Sequence, residues 1–295
     1  MQSQPSLPKV PYVAIYRLNL PPPSETLVVL KDRDFRITLQ PGPFRFTHTI
    51  QHLNFEPPST WTSYEDREVQ MPKGSYAVIQ VLMDFASDME RERIGLLVAE
   101  AASLIELRCS GTLGYKAFEG VVNTQNTRAW WPEGPIKLIA RPAESSEEVA
   151  KNLENVFVRV KGIDSRERSR LQLAARWFRR GHEASNEIDK FLFLWTALEV
   201  YPGKGNTDIV KNVSEVVAAL AGSAVTVQEV KAQLEIGRLY GKRSEIVHKG
   251  QAFVEEERRE AFEKQLEKLH SIVVACLRSL AGIDIGHDLL RFLKH

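Results

Sequence analysis

The run Phe191-Leu192-Phe193-Leu194-Trp195-Thr196-Ala197-Leu198 constrains the fold more than any other stretch. It lies within residues 187–200, which read as one helix stopped by Pro202-Gly203. A helix apolar nearly all round is a buried central helix, and it needs other helices on most of its sides. The flanking sequence supplies them. Residues 165–181 carry Leu171, Ala174, Ala175 and Phe178 at helical spacing. Residues 207–220 place Ile209, Val213, Val216, Val217 and Leu220 on one face, and Gly222 ends the pattern. Thr226-Val227-Gln228-Glu229 is a capping box that starts one further helix, running on to Gly250 as its C′ residue. The last helix starts near Phe253, with Glu255, Glu256 and Glu257 at its positive end. In it Phe262, Leu266, Leu269, Val273, Cys276 and Leu280 step by four and three, the seam of a packed bundle. The expectation for residues 146–295 is an all-α up-and-down helical bundle.

The first half has a different pattern. Residues 10–20 are rich in β-branched and aromatic side chains until Pro21-Pro22-Pro23. Residues 26–30 and 35–39 read as strands across the turn Lys31-Asp32-Arg33-Asp34. Pro41-Gly42-Pro43 is expected to break the chain, and the polar residues 54–74, with Pro57-Pro58, to form a loop. Residues 76–85 read as a strand. Residues 88–107 read as a helix carrying Ile94, Leu97, Val98, Ala101, Leu104 and Ile105. Short strands are expected at 115–122 and 136–140. Arg141-Pro142-Ala143-Glu144-Ser145-Ser146-Glu147-Glu148 has the composition of a linker or a helix start. The expected class is an α+β N-terminal domain, residues 1–145, mixed α/β in content and sensory or regulatory in role. A chain of 295 residues accommodates two such domains.

Composition narrows the function classes. A formal net charge of +1 excludes binding of a polyanion through bulk charge, so nucleic-acid contact requires a local patch. Cys109 and Cys276 follow no metal or redox spacing and are expected as buried, reduced thiols. The stretch from Met1 to Pro11 lacks the apolar core of a signal peptide. No run of about 18 apolar residues is present. The expectation is a cytoplasmic protein with no membrane partner, no metal and no cofactor. His48 and His52 have the spacing of two ligands on one helical turn, but their segment does not read as helical and no third ligand with matching spacing is nearby apart from Glu56. Pro202-Gly203-Lys204-Gly205-Asn206-Thr207 lacks the first glycine of a phosphate loop and the hydroxyl residue directly after its lysine. It also follows a helix rather than a strand, so it reads as a turn. Trp130-Trp131 reads as a packing pair or a base-stacking platform.

Arg243 and His248 are the candidate catalytic residues. An always-charged guanidinium and a group titrating near neutrality are a minimal kit for phosphoryl chemistry. Five residues correspond to about 140° of helical rotation, so the two share no face of a regular helix. Either the helix ends between them, or two copies of the motif meet across a two-fold axis. The plain alternative is an Arg243 paired with a carboxylate and a His248 capping a helix end. Glu199, the one interior charge of the apolar helix, is expected to pair with Arg243 or His248 rather than face water. Between 159 and 180 the chain carries Arg159, Lys161, Arg166, Arg168, Arg170, Arg176, Arg179 and Arg180. This basic run reads either as an RNA-tracking stripe or as a solvated helix face.

The stretch Leu239-Tyr240-Gly241-Lys242-Arg243-Ser244-Glu245-Ile246-Val247-His248-Lys249-Gly250 resembles the signature of HEPN domains of the Apea-like branch: arginine, four to six residues, histidine. The segments from Ala175 to Gly181 and from Asp189 to Glu199 resemble that family's first two helices. The resemblance covers roughly residues 165–280. It implies a HEPN-like bundle that forms a homodimer and brings two motifs together. It also implies, as in many members, a metal-independent endoribonuclease of antiviral defence or toxin systems. In those enzymes the histidine helps move the 2′-hydroxyl proton and the arginine steadies phosphate charge, leaving a 2′,3′-cyclic phosphate. Carried over here, Arg243 and His248 are catalytic, with Glu199, Ser244 and Tyr240 in support. Arg176, Arg179, Arg180, Lys242 and Lys249 are candidates for holding RNA. Cutting members often have Asn, Asp or His where Ser244 stands. Other members are non-catalytic adaptors that bind RNA or a protein. The N-terminal domain is then expected to meet a protein partner or trigger.

Overall fold

The computed structural model describes residues 9–56, 59–83, 88–108, 113–121, 145–205, 208–222, 225–249, 256–283 and 289–293. Cys109, Trp130-Trp131, the strand expected at 136–140 and Gly250 lie outside them. The chain divides into two compact units, Met1–Asn155 and Val156–His295.

The first unit is built on a five-stranded antiparallel sheet of order β2-β3-β4-β1-β5. Its strands are β1 (Val10–Leu18), β2 (Leu27–Lys31), β3 (Phe35–Glu56), β4 (Ser59–Met83) and β5 (Leu113–Val121). Because side chains alternate faces, register sorts the core into two layers. Ala14 pairs with Ile79 and Tyr16 with Ala77, while Ile37 and Leu39 oppose Ile79 and Ala77 on the other side of β4. All six are essentially inaccessible. The opposite face gathers Ile15, Met71, Tyr76, Ala117 and Phe118, with Val13, Phe44 and Val78 against them. Helix α1 (Asp88–Arg108) packs on β4 and β5 and buries Ile94, Val98, Ala101 and Ile105, one stripe at helical spacing.

Two expectations fail here. The segment 54–74 is not a loop, and Pro41-Gly42-Pro43 does not end the strand. Instead β3 and β4 form one long hairpin, paired from Phe35↔Val81 to Glu56↔Ser59. The prolines are absorbed by a register shift between Gly42 and Phe44. Thr60-Trp61-Thr62-Ser63-Tyr64 is polar, yet it is β-branched and aromatic, and pairing along the hairpin satisfies its backbone. The shift is locked sterically, since a Cβ on Gly42 would lie 2.2 Å from the Pro72 carbonyl oxygen. Nearby, Tyr76 donates to that same oxygen at 2.8 Å and meets Phe44 edge-on.

Helix α2 (Ser146–Gly162) straddles the division between units. It begins in the stretch read as a linker or a helix start, and its continuation to Gly162 was not expected. Val149, Leu153, Val156, Phe157 and Val160 are buried at helical spacing, a period diluted by Glu, Lys and Asn between them.

The second unit is helical: α3 (Ser165–Glu183), α4 (Glu187–Val200), α5 (Ile209–Ala221), α6 (Val227–Gln233), α7 (Ile236–Lys249) and α8 (Glu256–Ala281). Asp164, Asn186, Asp208 and Thr226 cap α3, α4, α5 and α6 by accepting backbone N–H groups. Helix α4 touches α3, α5, α7 and α8. Phe191, Leu194, Trp195, Ala197 and Leu198 are fully buried on it. However, α4 is not enclosed all round: Ile188, Leu192, Phe193 and Val200 are only half-buried. On α8, Phe262, Leu266, Leu269, Val273 and Cys276 are buried, and burial pushes the Cys276 thiol up to about 12. His182 of α3 and His270 of α8 meet Nε2 to Nε2 at 2.9 Å, one ring donating to the other, beside Phe178.

The single helix expected from Val227 to Gly250 is two. Glu235 takes a left-handed φ of 52° between α6 and α7. Its carboxylate accepts from Lys268 at 2.6 Å and Arg238 at 2.9 Å, and the Lys268 ammonium also donates to the Gln233 carbonyl. Lys268, then Arg238, hold the Glu235 carboxyl below its ordinary range. The break itself falls on Leu234 and Glu235, neither of them a glycine or proline, and the nearby Gly237 lies inside α7.

Candidate functional site

Glu199 lies in the last turn of α4, whose C-terminus folds back on itself. The Tyr201 N–H donates to the Ala197 carbonyl, that of Gly203 to Leu198, and that of Gly205 to Glu199, at 2.9, 2.8 and 3.0 Å. Gly203 is required, since a Cβ there would meet the Leu198 oxygen at 2.6 Å. Asn212 of α5 braces the turn by donating to the Gly203 carbonyl at 3.0 Å. Lys204, between two glycines, sits at φ 57°. Burial, then Cys276 and Glu167, push the neighbouring Tyr201 hydroxyl up to about 12, so it stays a neutral phenol.

Of the two partners expected for Glu199, Arg243 is the one it meets. The Arg243 Nη2 lies 3.1 Å from Glu199 Oε1, and the indole of fully buried Trp195 donates to the same oxygen at 3.0 Å. The side chains of Glu199 and Arg243 are 24% and 28% exposed, so the pair is largely but not wholly withdrawn from water. Helix α7 presents Arg243 there because Leu239 and Ile246, four residues before and three after, are its buried contacts. Tyr240 is 44% exposed, its ring 5.9 Å from that of Trp195.

The pair lines a cleft of about 450 Å³ together with Arg170, Thr196, Val200, Lys204, Gly205 and Ile209. Three cations and one carboxylate therefore line the cleft, and a second carboxylate, Glu167, pairs with one of those cations, Arg170. The position of Arg170 is set by α3, and its side chain reaches Glu167 at 3.2 Å. Sequence reading assigned Arg170 only to the basic run and Lys204 only to a turn. The signal available was that the Gly-Lys-Gly turn follows directly on the helix bearing Glu199.

His248 is exposed and is not among the cleft residues. Helix α7 continues unbroken to Lys249, so the helix does not end between Arg243 and His248. One copy of the chain therefore does not bring the two together on a common face. Ser244 is half-buried on the same helix.

The expected RNA contacts are scattered. The Arg179 side chain is only 12% exposed and pairs with Glu183 at 2.6 Å. Arg176 is half-buried, its Nε inaccessible and without a hydrogen-bond partner. Arg180 is exposed, its guanidinium 4.8 Å from the Trp177 ring centre. Lys242 lies 3.6 Å from Glu245 and over the Phe262 ring. Lys249 is the last residue of α7. Elsewhere in the basic run, Arg168 donates to the carbonyls of Lys161 and Ile163, and Arg159 to that of Leu280.

Among the described residues, no three His, Cys, Asp or Glu side chains gather as metal ligands. His48 and His52 lie on strand β3, where four residues span about 13 Å, too far for one ion. Among the described residues, no helix is long and apolar enough to cross a membrane. Compared with protein-family models, curated proteins and solved structures, the chain matches none.

Proposed function

We propose that the protein is a metal-independent endoribonuclease of HEPN type, in which the helical unit is an up-and-down bundle active as a homodimer. The observation that carries this reading is the Arg243–Glu199 pair opening onto a cationic cleft, with His248 further along the same helix. Glu199 and Trp195 orient the guanidinium, and Arg243 is the group that steadies charge on a phosphate in the transition state. His248 is the proton-transfer group. Since the two point about 140° apart on one helix, the second copy supplies the His248 that works beside the first copy's Arg243. The setting is cytoplasmic, in antiviral defence or a toxin system, with the N-terminal unit receiving the trigger or a protein partner.

The test is cutting of single-stranded RNA by the purified chain with EDTA present, followed by analysis of the ends. The expected products carry 2′,3′-cyclic phosphates. Arg243→Ala and His248→Ala each lose at least 100-fold in rate with an unchanged circular dichroism spectrum. Variants that cut as fast as the parent reject the reading.

A second reading is a non-catalytic adaptor that dimerises and binds RNA or a protein. It is favoured by the exposed His248 standing outside the cleft and by Ser244 following the arginine. It requires binding with RNA length unchanged after long incubation.

A further inference from the structure

We infer that Arg170 and Lys204 form a phosphate-anchoring subsite beside Arg243 that holds a backbone phosphate of single-stranded RNA. The choice of RNA rests on the function proposed above, whereas the anion chemistry rests on the cleft itself.

Three features of the cleft carry this. Its lining carries Arg170, Lys204 and Arg243 and the single carboxylate Glu199, with Arg170 also paired to Glu167 of its own helix at 3.2 Å, and its size of about 450 Å³ is that of a small-ligand site. Lys204 has no carboxylate partner among the described residues, and it is held in the left-handed region at φ 57°. Glycine is the ordinary occupant of such a position, and glycines stand on both sides. A long charged side chain kept at a strained position in the lining of a cleft is an outlier that points to use of that side chain. Finally, Arg243 engages Glu199 through one terminal nitrogen, and a guanidinium has five N–H donors, so others remain for a ligand.

The way the anion is held follows from the turn. The amides of Gly203 and Gly205 are already donated to the Leu198 and Glu199 carbonyls. The turn therefore does not cradle phosphate with its backbone as a phosphate loop does, and binding falls to the side chains. Arg170 offers a planar fork from α3 and Lys204 a point charge from the turn, placing the phosphate between them and next to Arg243. Glu199 repels the anion and thereby keeps Arg243 from being a simple anion trap.

The experiment is fluorescence anisotropy with a labelled, fully 2′-O-methylated oligoribonucleotide of about 12 residues, which lacks the attacking hydroxyl and cannot be cut. The parent is expected to bind with affinity falling steeply as salt rises. Lys204→Gly and Arg170→Gln are each expected to weaken binding about tenfold. Lys204→Gly guards against misfolding, since glycine suits the backbone there and its thermal midpoint should not fall. Inorganic phosphate and adenosine monophosphate serve as competitors and should displace the probe only at millimolar concentrations. No binding by the parent at low salt, or parental affinity in both variants, overturns the subsite. Tight binding of phosphate or the mononucleotide with no oligonucleotide binding overturns RNA as the occupant. If the parent leaves unmodified RNA uncut yet binds the probe, and Lys204→Gly loses the probe, the ribonuclease reading falls and the subsite stands.

Discussion

Arg17 in the sheet and Arg243 in the helical unit each lie beside a glycine at a special backbone position, Gly74 within strand β4 and Gly203 in the turn after α4, but their surroundings differ in kind. Arg17 fills the space a side chain on Gly74 would need, since a Cβ there would lie 1.5 Å from its Nη1. It donates to the Lys73 carbonyl at 3.0 Å and lies over the Tyr76 ring. Gly74 itself takes φ 154°, a conformation that side chains rarely adopt. There the special backbone position is given to glycine and the arginine is packing. At the α4 turn the left-handed position is given to a lysine, and the arginine opens onto a cleft. At Gly74 the special conformation serves the fold; at the α4 turn a lysine keeps it, and that lysine is the group proposed above to meet a ligand.

The sharpest way to test the structural side of that contrast is Gly42→Ala. Its Cβ would collide with a backbone oxygen, and backbone does not give way as a flexible side chain does. The expected cost is about 3 kcal/mol, read as a lower urea midpoint with the slope unchanged. A parental midpoint breaks the comparison on the sheet side. Next in size is Glu199→Ala, which strips the Trp195 indole and Arg243 of a shared acceptor and should cost about 2 kcal/mol. A variant as stable as the parent means that water replaces the carboxylate and Arg243 is not held.

A smaller effect is expected of Glu235→Gln, about 1 kcal/mol near neutral pH. Its folded carboxyl titrates below the unfolded one, so this stability is present above the ordinary carboxylate range. It is lost as pH falls through the depressed value. Urea midpoints of parent and variant should thus converge on acidification, and a constant gap contradicts the ion pairs. Lys204→Gly carries the smallest effect and the opposite sign. Relief of the left-handed backbone should stabilise the chain by about 0.5 kcal/mol, visible as a slightly raised midpoint. A loss of stability would make Lys204 a packing residue like Arg17.

Much of the helical unit was legible in sequence because long elements with strong period and capped ends declare themselves. The helix 187–200 has the bounds expected of it, and Thr226 caps α6 as its motif implies. Helix α2 was hidden because its buried Val149, Leu153 and Val160 are spaced among charges in a stretch that begins like a linker. The β3–β4 hairpin was hidden because polarity was read as loop, although its residues favour strands. Glu199 was legible as a misplaced charge. Arg170 and Lys204 were not, because only tertiary packing brings α3, the α4 turn and α7 around one cleft.

The claim that the site is completed across two copies is tested most directly by mixing Arg243→Ala and His248→Ala chains, each inactive alone, and measuring RNA cutting as subunits exchange. Hybrid dimers hold one intact Arg243 opposite one intact His248, so activity should return to a sizeable fraction of the parent's. A mixture that stays inactive after demonstrated exchange, while the parent cuts, contradicts a shared site.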